Sequence, residues 1–200
     1  MMQHRYAAMT YGVLAAGFAA LLGVSSASAQ NASPAFRNTQ VKTTETRVYG
    51  DWTLRCFAVK GPAPCDIFLL LSDKDSKRRV MSVSIAYAPA NKRHVIQIAV
   101  PLGVSLAKGL TISAGQFTSQ AFGFRRCAPD GCYVETVMPA PVIKAFDDAK
   151  ADAKVQLVAD DGKKFDFPLS MKGYAQAHAA LLTASADNAT AKPIAPDNSQ

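Results

Sequence analysis

The sequence has little of what marks several large classes of protein. Its 200 residues include only three histidines, four cysteines and one tryptophan, and 18% of them are charged. Glycine follows no regular period, which excludes collagen, and a long apolar run occurs only near the N-terminus, which excludes a membrane protein with several spans. The 49% of hydrophobic residues is nevertheless enough for one folded domain with its own core.

Local signatures of catalysis and cofactor binding are also missing. The sequence contains no G-x-S-x-G nucleophile elbow, no G-x-G-x-x-G phosphate loop and no H-E-x-x-H metal motif. His94 and His178 have no cysteine or acidic neighbour in sequence, and His178 is expected to be a partly exposed helix residue. Asp147 and Asp148 are expected to be solvated acids. We therefore predict a protein that is not an enzyme and has no catalytic residues, metal ligands or cofactor, although a triad assembled from distant segments would leave no local signature.

The N-terminal 29 residues predict a secretory signal peptide. Arg5 is the only charged residue among the first 36, and residues 6–24 are mostly Ala, Leu, Val, Gly and Phe. Ala27 and Ala29 supply the small residues of a cleavage site, so we expect cleavage near Ala29. A retained membrane anchor is the alternative because 6–24 is just long enough to span. Its glycines and the A-x-A ending favour removal.

The chain that would remain after cleavage divides into three regions by composition. Residues 30–44 are polar and unpatterned and predict a flexible lead-in, residues 45–184 carry the patterns of a folded domain, and residues 185–200 predict a disordered tail. We expect no transmembrane segment in this mature chain. The predicted location is the periplasm, or the cell surface or medium after further export.

All four cysteines lie after the predicted signal peptide. An even number of cysteines in an exported protein predicts two disulfides. The turn-rich segments between Cys56 and Cys65 and between Cys127 and Cys132 favour these local pairs among the three connectivities. A four-cysteine zinc site would need closer spacing in the first pair, and a redox dithiol usually has two residues between its cysteines. Structural bridges are therefore the preferred interpretation.

Most of the folded region alternates apolar and polar residues with the two-residue period of β-strands. Segment 67–71 is continuously apolar and predicts a strand covered on both faces, while 141–150 and 174–182 have helical spacing. The other expected strands are 52–56, 80–89, 96–100, 110–112, 117–124, 133–137, 155–159 and 165–169. We predict an all-β fold: an immunoglobulin-like antiparallel β-sandwich with one or two short helices, pinned by disulfides. An outer-membrane barrel needs strands of about 9–11 residues, and the helices and polar tail do not fit it.

Several motifs follow one another over residues 45–183. They are Y-G-D-W at 49–52 running into L-x-C at 54–56, then Cys65, P-L-G-V-S-L at 101–106 with Gly109, C-x-x-x-G-C at 127–132 and L-S-M-K-G-Y at 169–174. Their order and spacing resemble the invasion-associated locus B family of exported alphaproteobacterial proteins, in which Phe is expected where this sequence has Tyr174. The resemblance implies an immunoglobulin-like sandwich, export to the periplasm or cell surface, and no known catalytic residues. It also implies a role in host-cell invasion for some members.

Basic residues provide the main functional lead. Lys92 and Arg93 occupy a loop at one end of strand 80–89, and four basic residues occupy the loop at its other end. The residues considered as a contact surface are Lys74, Lys77, Arg78, Arg79, Arg125 and Arg126. One interpretation is a surface for anionic envelope components or host glycans. We favour ordinary charged turns that keep strand ends soluble, because the charges are spread along the fold.

These observations favour an exported, non-enzymatic binding module. Its loops or an open sheet edge would contact an unidentified envelope or host protein, and such an edge could also pair with a second copy to form a homo-oligomer. The alternatives are a structural or stress-tolerance factor of the envelope and, less favoured, a hydrolase acting on an envelope component. Nucleic acid is not an expected partner because the chain is exported and the aromatic residues near Arg125 fit a core better than a stacking platform.

Overall fold

Antiparallel strands are the main secondary structure of the described chain, which comprises residues 42–58 and 61–190 of a computed structural model. The elements are β1 (Thr43–Tyr49), β2 (Trp52–Phe57), β3 (Cys65–Ser72), β4 (Arg79–Ala88), a short 3-10 turn (Pro89–Asn91), β5 (Arg93–Val100), β6 (Leu110–Ala114), β7 (Phe117–Thr118), β8 (Arg126–Ala128), β9 (Gly131–Val137), α1 (Ala140–Asp147), β10 (Ala153–Val158), β11 (Lys164–Leu169) and α2 (Tyr174–Thr190). The expected signal peptide, its cleavage site near Ala29 and the last ten residues lie outside the described residues.

The strands form two sheets. One sheet has seven strands in the order β1-β2-β3-β4-β5-β9-β8, and the other has four in the order β11-β10-β6-β7. Neighbouring strands are antiparallel throughout both sheets. Buried side chains from both sheets belong to one hydrophobic cluster, so the sheets share a core. The predicted all-β antiparallel sandwich is confirmed.

The alternating pattern determines which side chains enter this core. Trp52, Leu54 and Cys56 of β2 are fully buried, whereas Thr53 and Arg55 between them face outward. Successive side chains of a strand point to opposite faces, so one sequence period suffices to bury one face. The second sheet contributes to the same cluster from its inner face; its members are Leu110, Ile112, Ala114, Ala153, Val155, Leu157 and Leu169.

Helix α2 covers the part of the large sheet formed by β1 to β4. Tyr174, Ala177, Leu181 and Ala184 are buried at helical spacing. The helix continues to Thr190, so the prediction of a disordered tail from residue 185 is wrong over 185–190. Ser185 is fully buried. Packing against the rest of the domain keeps this segment helical beyond the point where its composition becomes that of a linker.

Three other expectations differ from the structure. Strand β1 was not expected, and it begins at Thr43, inside the predicted lead-in. Strand β3 is not covered on both faces, because Leu70 on the outer face of the large sheet is 52% exposed. In the expected strand 117–124, only the first two residues form β7, and Phe122 makes an isolated bridge to Leu110. Apolar composition alone does not say whether a second layer covers a strand.

The first and last of the sequence motifs meet in space and join the start of β2 to the start of α2. The Trp52 indole donates to the carbonyl oxygen of Ser170 at 2.8 Å, and the Ser170 hydroxyl donates to Asp51 Oδ2 at 2.6 Å. Gly173 has φ +85°, and a Cβ at that position would collide with the carbonyl oxygen of Tyr49. Only glycine accepts both this conformation and this close approach of two backbones.

Candidate functional site

Both disulfides close antiparallel strand pairs at directly opposed positions. Cys56 on β2 lies opposite Cys65 on β3, with an S–S distance of 2.07 Å and Cα atoms 4.1 Å apart. Cys127 on β8 lies opposite Cys132 on β9, with an S–S distance of 2.05 Å and Cα atoms 4.0 Å apart. These are the local pairs that the turn-rich segments favour. The second bridge holds the tip of the β8–β9 hairpin.

The β3–β4 turn, with Lys74, Lys77, Arg78 and Arg79, lies at one end of the large sheet. Arg125 and Arg126 lie just before the tip of the β8–β9 hairpin, which reaches the same end. Arg79 begins β4, and the loop before it carries the residues of the β3–β4 turn. Strands β4 and β9 are both antiparallel to β5 and so begin at the same end of the sheet. Arg79 Nη2 donates to the carbonyl oxygen of Asp130 at 2.5 Å, which joins the two hairpin tips. We call Lys74, Lys77, Arg78, Arg79, Arg125 and Arg126 the basic end.

Lys92 and Arg93 lie at the far end of β4, where the β4–β5 connection is made, as the topology argument expects. This pair therefore lies apart from the basic end. Strand order brings the hairpins of the basic end together: β9 pairs with β5 and carries β8 on its other side, so the β8–β9 hairpin lies next to the β4–β5 pair. The proximity of the two hairpins cannot be read from the sequence, because they are distant along the chain.

Carboxylates hold three of the arginines of the basic end in place. Glu135 on β9 binds Arg126 Nη2 at 3.0 Å and Arg125 Nε at 3.4 Å, and it also accepts from Gln97 Nε2 at 2.9 Å. The Arg126 guanidinium also lies over the Tyr133 ring, 3.9 Å from its centroid. The Arg125 side chain is still 71% exposed. These arginines are thus oriented by the sheet while part of each remains open to solvent.

The acids of the hairpin tips are ionised more readily than ordinary carboxyls. A hydrogen bond from the Tyr133 hydroxyl lowers the pKa of Asp130, and Arg79 acts in the same direction. Asp73 Oδ1 accepts from the backbone N–H and from the hydroxyl of Ser76, each at 2.7 Å, and these bonds lower the pKa of Asp73. Both acids therefore brace the tips as carboxylates at neutral pH.

A surface hollow of about 430 Å³ adjoins the basic end. It is lined by Asp73, Ser76, Arg78, Arg79, Val80 and Pro101. The Asp73 carboxylate is engaged with Ser76, whereas Arg78 and Arg79 bring positive charge to the lining. The volume is within the range of ligand pockets, so the basic end combines positive charge with a concave surface.

A second polar cluster lies on the outer face of the large sheet and was missed by sequence reasoning. Arg55 on β2 donates to both oxygens of Asp66 on β3, at 2.9 and 2.5 Å, and the Ser84 hydroxyl on β4 donates to the same carboxylate at 2.7 Å. The Arg55 guanidinium lies 4.0 Å from the centroid of the Phe68 ring. Asp66 is buried by these neighbours. The contacts among Arg55, Asp66 and Ser84 depend on the register of the three strands, which cannot be read from the sequence.

The two histidines expected to be isolated are in contact. His178 Nε2 lies 2.9 Å from His94 Nε2, and His178 Nδ1 lies 2.9 Å from Asp147 Oδ1. The prediction that His178 is a partly exposed helix residue is wrong because the residue is buried, and Asp147, expected to be a solvated acid, is its partner. Burial lowers the pKa of His94, a nearby positive charge on His178 acts in the same direction, and Asp147 opposes both.

Within residues 42–58 and 61–190, no group of three or more His, Cys, Asp or Glu side chains is placed to hold a metal ion. The same part of the chain contains no helix that is long and apolar enough to cross a membrane.

The fold and its two bridges define a class of protein. This is a disulfide-pinned antiparallel β-sandwich with a helix packed against its larger sheet, and its two disulfides fit an exported protein. The model of the family described as invasion associated locus B (IalB) protein matches residues 52–182. The chain belongs to this family.

Individual relatives agree with the family match. Invasion protein B homologs from Brucella abortus strain 2308 and from Brucella abortus biovar 1 strain 9-941 are each 23% identical to this chain over 129 residues. Each match covers 64% of this chain and 74% of the relative. The crystal structure of invasion associated protein B from Bartonella henselae superposes with a TM-score of 0.59 at 21% identity, covering 70% of this chain and 98% of that one. The two proteins share a fold.

Proposed function

We propose that this protein is an exported, non-enzymatic binding module of the cell envelope, and that its basic end contacts an acidic segment of a protein partner. Export would follow cleavage near Ala29 and would place the domain in the periplasm or at the cell surface. The names of the relatives refer to invasion, which supports a role in contact with a host cell. The partner is identified here by its chemistry, as a protein segment rich in Asp and Glu.

The observation that carries this proposal is the pre-organised arrangement of the arginines at the basic end. Glu135 and Asp130 hold Arg125, Arg126 and Arg79 before any partner arrives. Binding then costs less side-chain entropy than it would with freely rotating arginines. The planar guanidinium group can also donate two parallel hydrogen bonds to a carboxylate of the partner.

The Cys127–Cys132 bridge supports the same interpretation. It lies two residues from the tip of the β8–β9 hairpin and joins cysteines five positions apart, so the two strands cannot separate at the tip while the bridge is intact. An edge hairpin that carries exposed charge is otherwise among the more mobile parts of a sandwich. The bridge therefore favours a surface that keeps its shape during contact.

The experiment is site-specific photo-crosslinking in the native cell envelope. A photoreactive residue replaces Lys77 at the basic end or, as the positional control, Lys163 in the turn before β11. We expect a discrete adduct from position 77 and none of the same mass from position 163. Adduct formation should weaken as salt rises toward 1 M, where the Debye length falls to about 3 Å.

A pair of double variants tests whether charge at the basic end causes the contact. Arg125→Ala with Arg126→Ala should abolish the adduct, whereas Lys163→Ala with Lys164→Ala removes the same charge from the other sheet and should preserve it. Thermal unfolding of both variants establishes that each is folded. An adduct that survives the arginine substitutions at unchanged intensity would contradict the proposal, as would identical adducts from both crosslinking positions.

A further inference from the structure

A chain of hydrogen-bonding side chains joins the two helices to the large sheet. Asp147 is the last residue of α1, His178 lies in the second turn of α2, and His94 is the second residue of β5. The contacts Asp147–His178 and His178–His94 are both 2.9 Å. We call these three residues the histidine chain. His94 pairs with Tyr87 near the end of β4 opposite to Arg79, so the histidine chain is independent of the proposed function.

The possible proton positions in the histidine chain follow from its two contacts. When both rings are neutral, His178 Nδ1–H donates to Asp147 and His94 Nε2–H donates to the bare Nε2 of His178. One added proton is also accommodated, because an imidazolium at His178 donates to Asp147 and to a bare Nε2 of His94. A second proton is not accommodated. It places an N–H on each nitrogen of the 2.9 Å contact and a positive charge on each ring.

The surroundings contain little to relieve a second positive charge. From β4, the Tyr87 ring lies 4.8 Å from His94, and from α2 the Tyr174 ring stacks 5.4 Å from His178. Asp147 from α1 is the acid that acts on His94, and it is already bound to His178. Its neighbour Asp148 is paired with Lys144 at 2.6 Å. A metal ion is a weaker interpretation because it would find only two imidazole ligands, with Asp147 on the far side of one ring.

We propose that the histidine chain is an acid-sensitive latch that holds α2 on the large sheet and releases it when both histidines are protonated. Release would begin at the first turns of α2, where Tyr174, Ala177 and His178 are buried. It would uncover the apolar surface around Trp52, whose ring packs edge-on against Tyr174 at 5.4 Å. In acid the domain would thus present an apolar surface that it hides at neutral pH.

The direction of the pH effect follows from His94. Its pKa in the folded protein lies below the ordinary value of 6.5, so the docked state resists a proton that the released state accepts. Docking is therefore fully favoured above about pH 6.5 and loses stability as the pH falls below it. For each extra proton taken up on release, the equilibrium constant for release rises by up to about tenfold per pH unit.

The experiment is segment-resolved hydrogen exchange on the full chain between about pH 8 and pH 5, corrected for the intrinsic pH dependence of exchange. We expect α2 to lose protection through the histidine range while β4 and β5 keep theirs. Simultaneous loss in β4, β5 and α2 would overturn the proposal, because it would indicate global acid unfolding. Unchanged protection of α2 at pH 5 would also overturn it.

Two variants separate the latch from general acid sensitivity. His94→Gln supplies an amide that can donate to or accept from His178 without taking a charge, so α2 should stay protected at pH 5. Asp148→Asn removes a neighbouring acid that does not touch the histidines, and release should remain as in the unaltered protein. If His94→Gln does not fold, NMR titration of the ring protons in the unaltered chain decides the matter. A His94 that titrates at or above pH 6.5 while α2 remains docked excludes the latch.

Discussion

Replacing Gly173 by alanine should destabilise the protein more than replacing Gly162 by alanine. The two glycines have nearly the same backbone conformation, with φ +85° and φ +86°. They differ in what surrounds them. A Cβ at Gly162 would meet nothing within 4 Å, whereas a Cβ at Gly173 would collide with the backbone of Tyr49 and Gly50 at the joint between the first and last sequence motifs.

The magnitude of the difference can be worked out from these two environments. A left-handed conformation costs a residue with a side chain about 1–2 kcal/mol, and both variants incur this cost. Both also gain about 0.4–1 kcal/mol because alanine restricts the unfolded chain. Gly173→Ala alone adds an overpacking cost of about 1–3 kcal/mol, since the obstructing atoms are backbone and cannot rotate away. We therefore expect it to lose about 1–3 kcal/mol more than Gly162→Ala.

The assay is urea unfolding of the two variants and the unaltered protein, followed by circular dichroism and by the fluorescence of Trp52 at the same joint. The difference should also lower the melting temperature of Gly173→Ala by about 2–12 °C relative to Gly162→Ala, at roughly 2–4 °C per kcal/mol for a domain of this size. Equal unfolding free energies for the two variants would refute the reasoning, because they would show that the backbones can separate at no cost.

Three further predictions concern the bridges and the polar clusters. Cys127→Ser with Cys132→Ser should lower the unfolding free energy by roughly 2 kcal/mol in the chain-entropy model; a loss below about 0.5 kcal/mol in denaturant unfolding would show that the bridge constrains little. Asp66→Asn should cost about 1–3 kcal/mol, because it weakens charge-assisted hydrogen bonds in a buried cluster, and an unchanged urea midpoint would contradict that role. Tyr133→Phe should raise the pKa of Asp130 toward its ordinary value of 3.8, since the lost hydroxyl is the main cause of the lowering; carboxyl NMR titration measures the shift, and an unmoved pKa would exclude this cause.

The locations of most strands could be predicted from the sequence because burial of one face leaves a two-residue period. Met81, Val83 and Ile85 alternate with polar or small residues and prove fully buried. The local disulfide pairs could also be favoured, since a turn-rich segment between two cysteines brings its ends together at little entropic cost. The family resemblance likewise follows from motifs that are contiguous in the chain.

The limits of α2 and of β1 could not be predicted from local pattern. Residues 185–190 have the composition of a linker, and their helical state depends on packing that buries Ser185. Strand β1 has little apolar alternation, and it forms as a strand by pairing with the edge of β2. In both cases tertiary contacts outweigh weak local preference.

The amino-acid sequence by itself determined the strand periodicity and the basic and histidine residues available for function, and it favoured the two short disulfide loops without deciding them. Only the tertiary structure decided which of these residues meet. Glu135 gathers two arginines, Asp66 joins three strands, and His94 reaches His178 across 84 positions. The physical reason is that strand period and turn geometry act between near neighbours, whereas side-chain pairing depends on sheet order and helix docking, which are set by burial of the whole core.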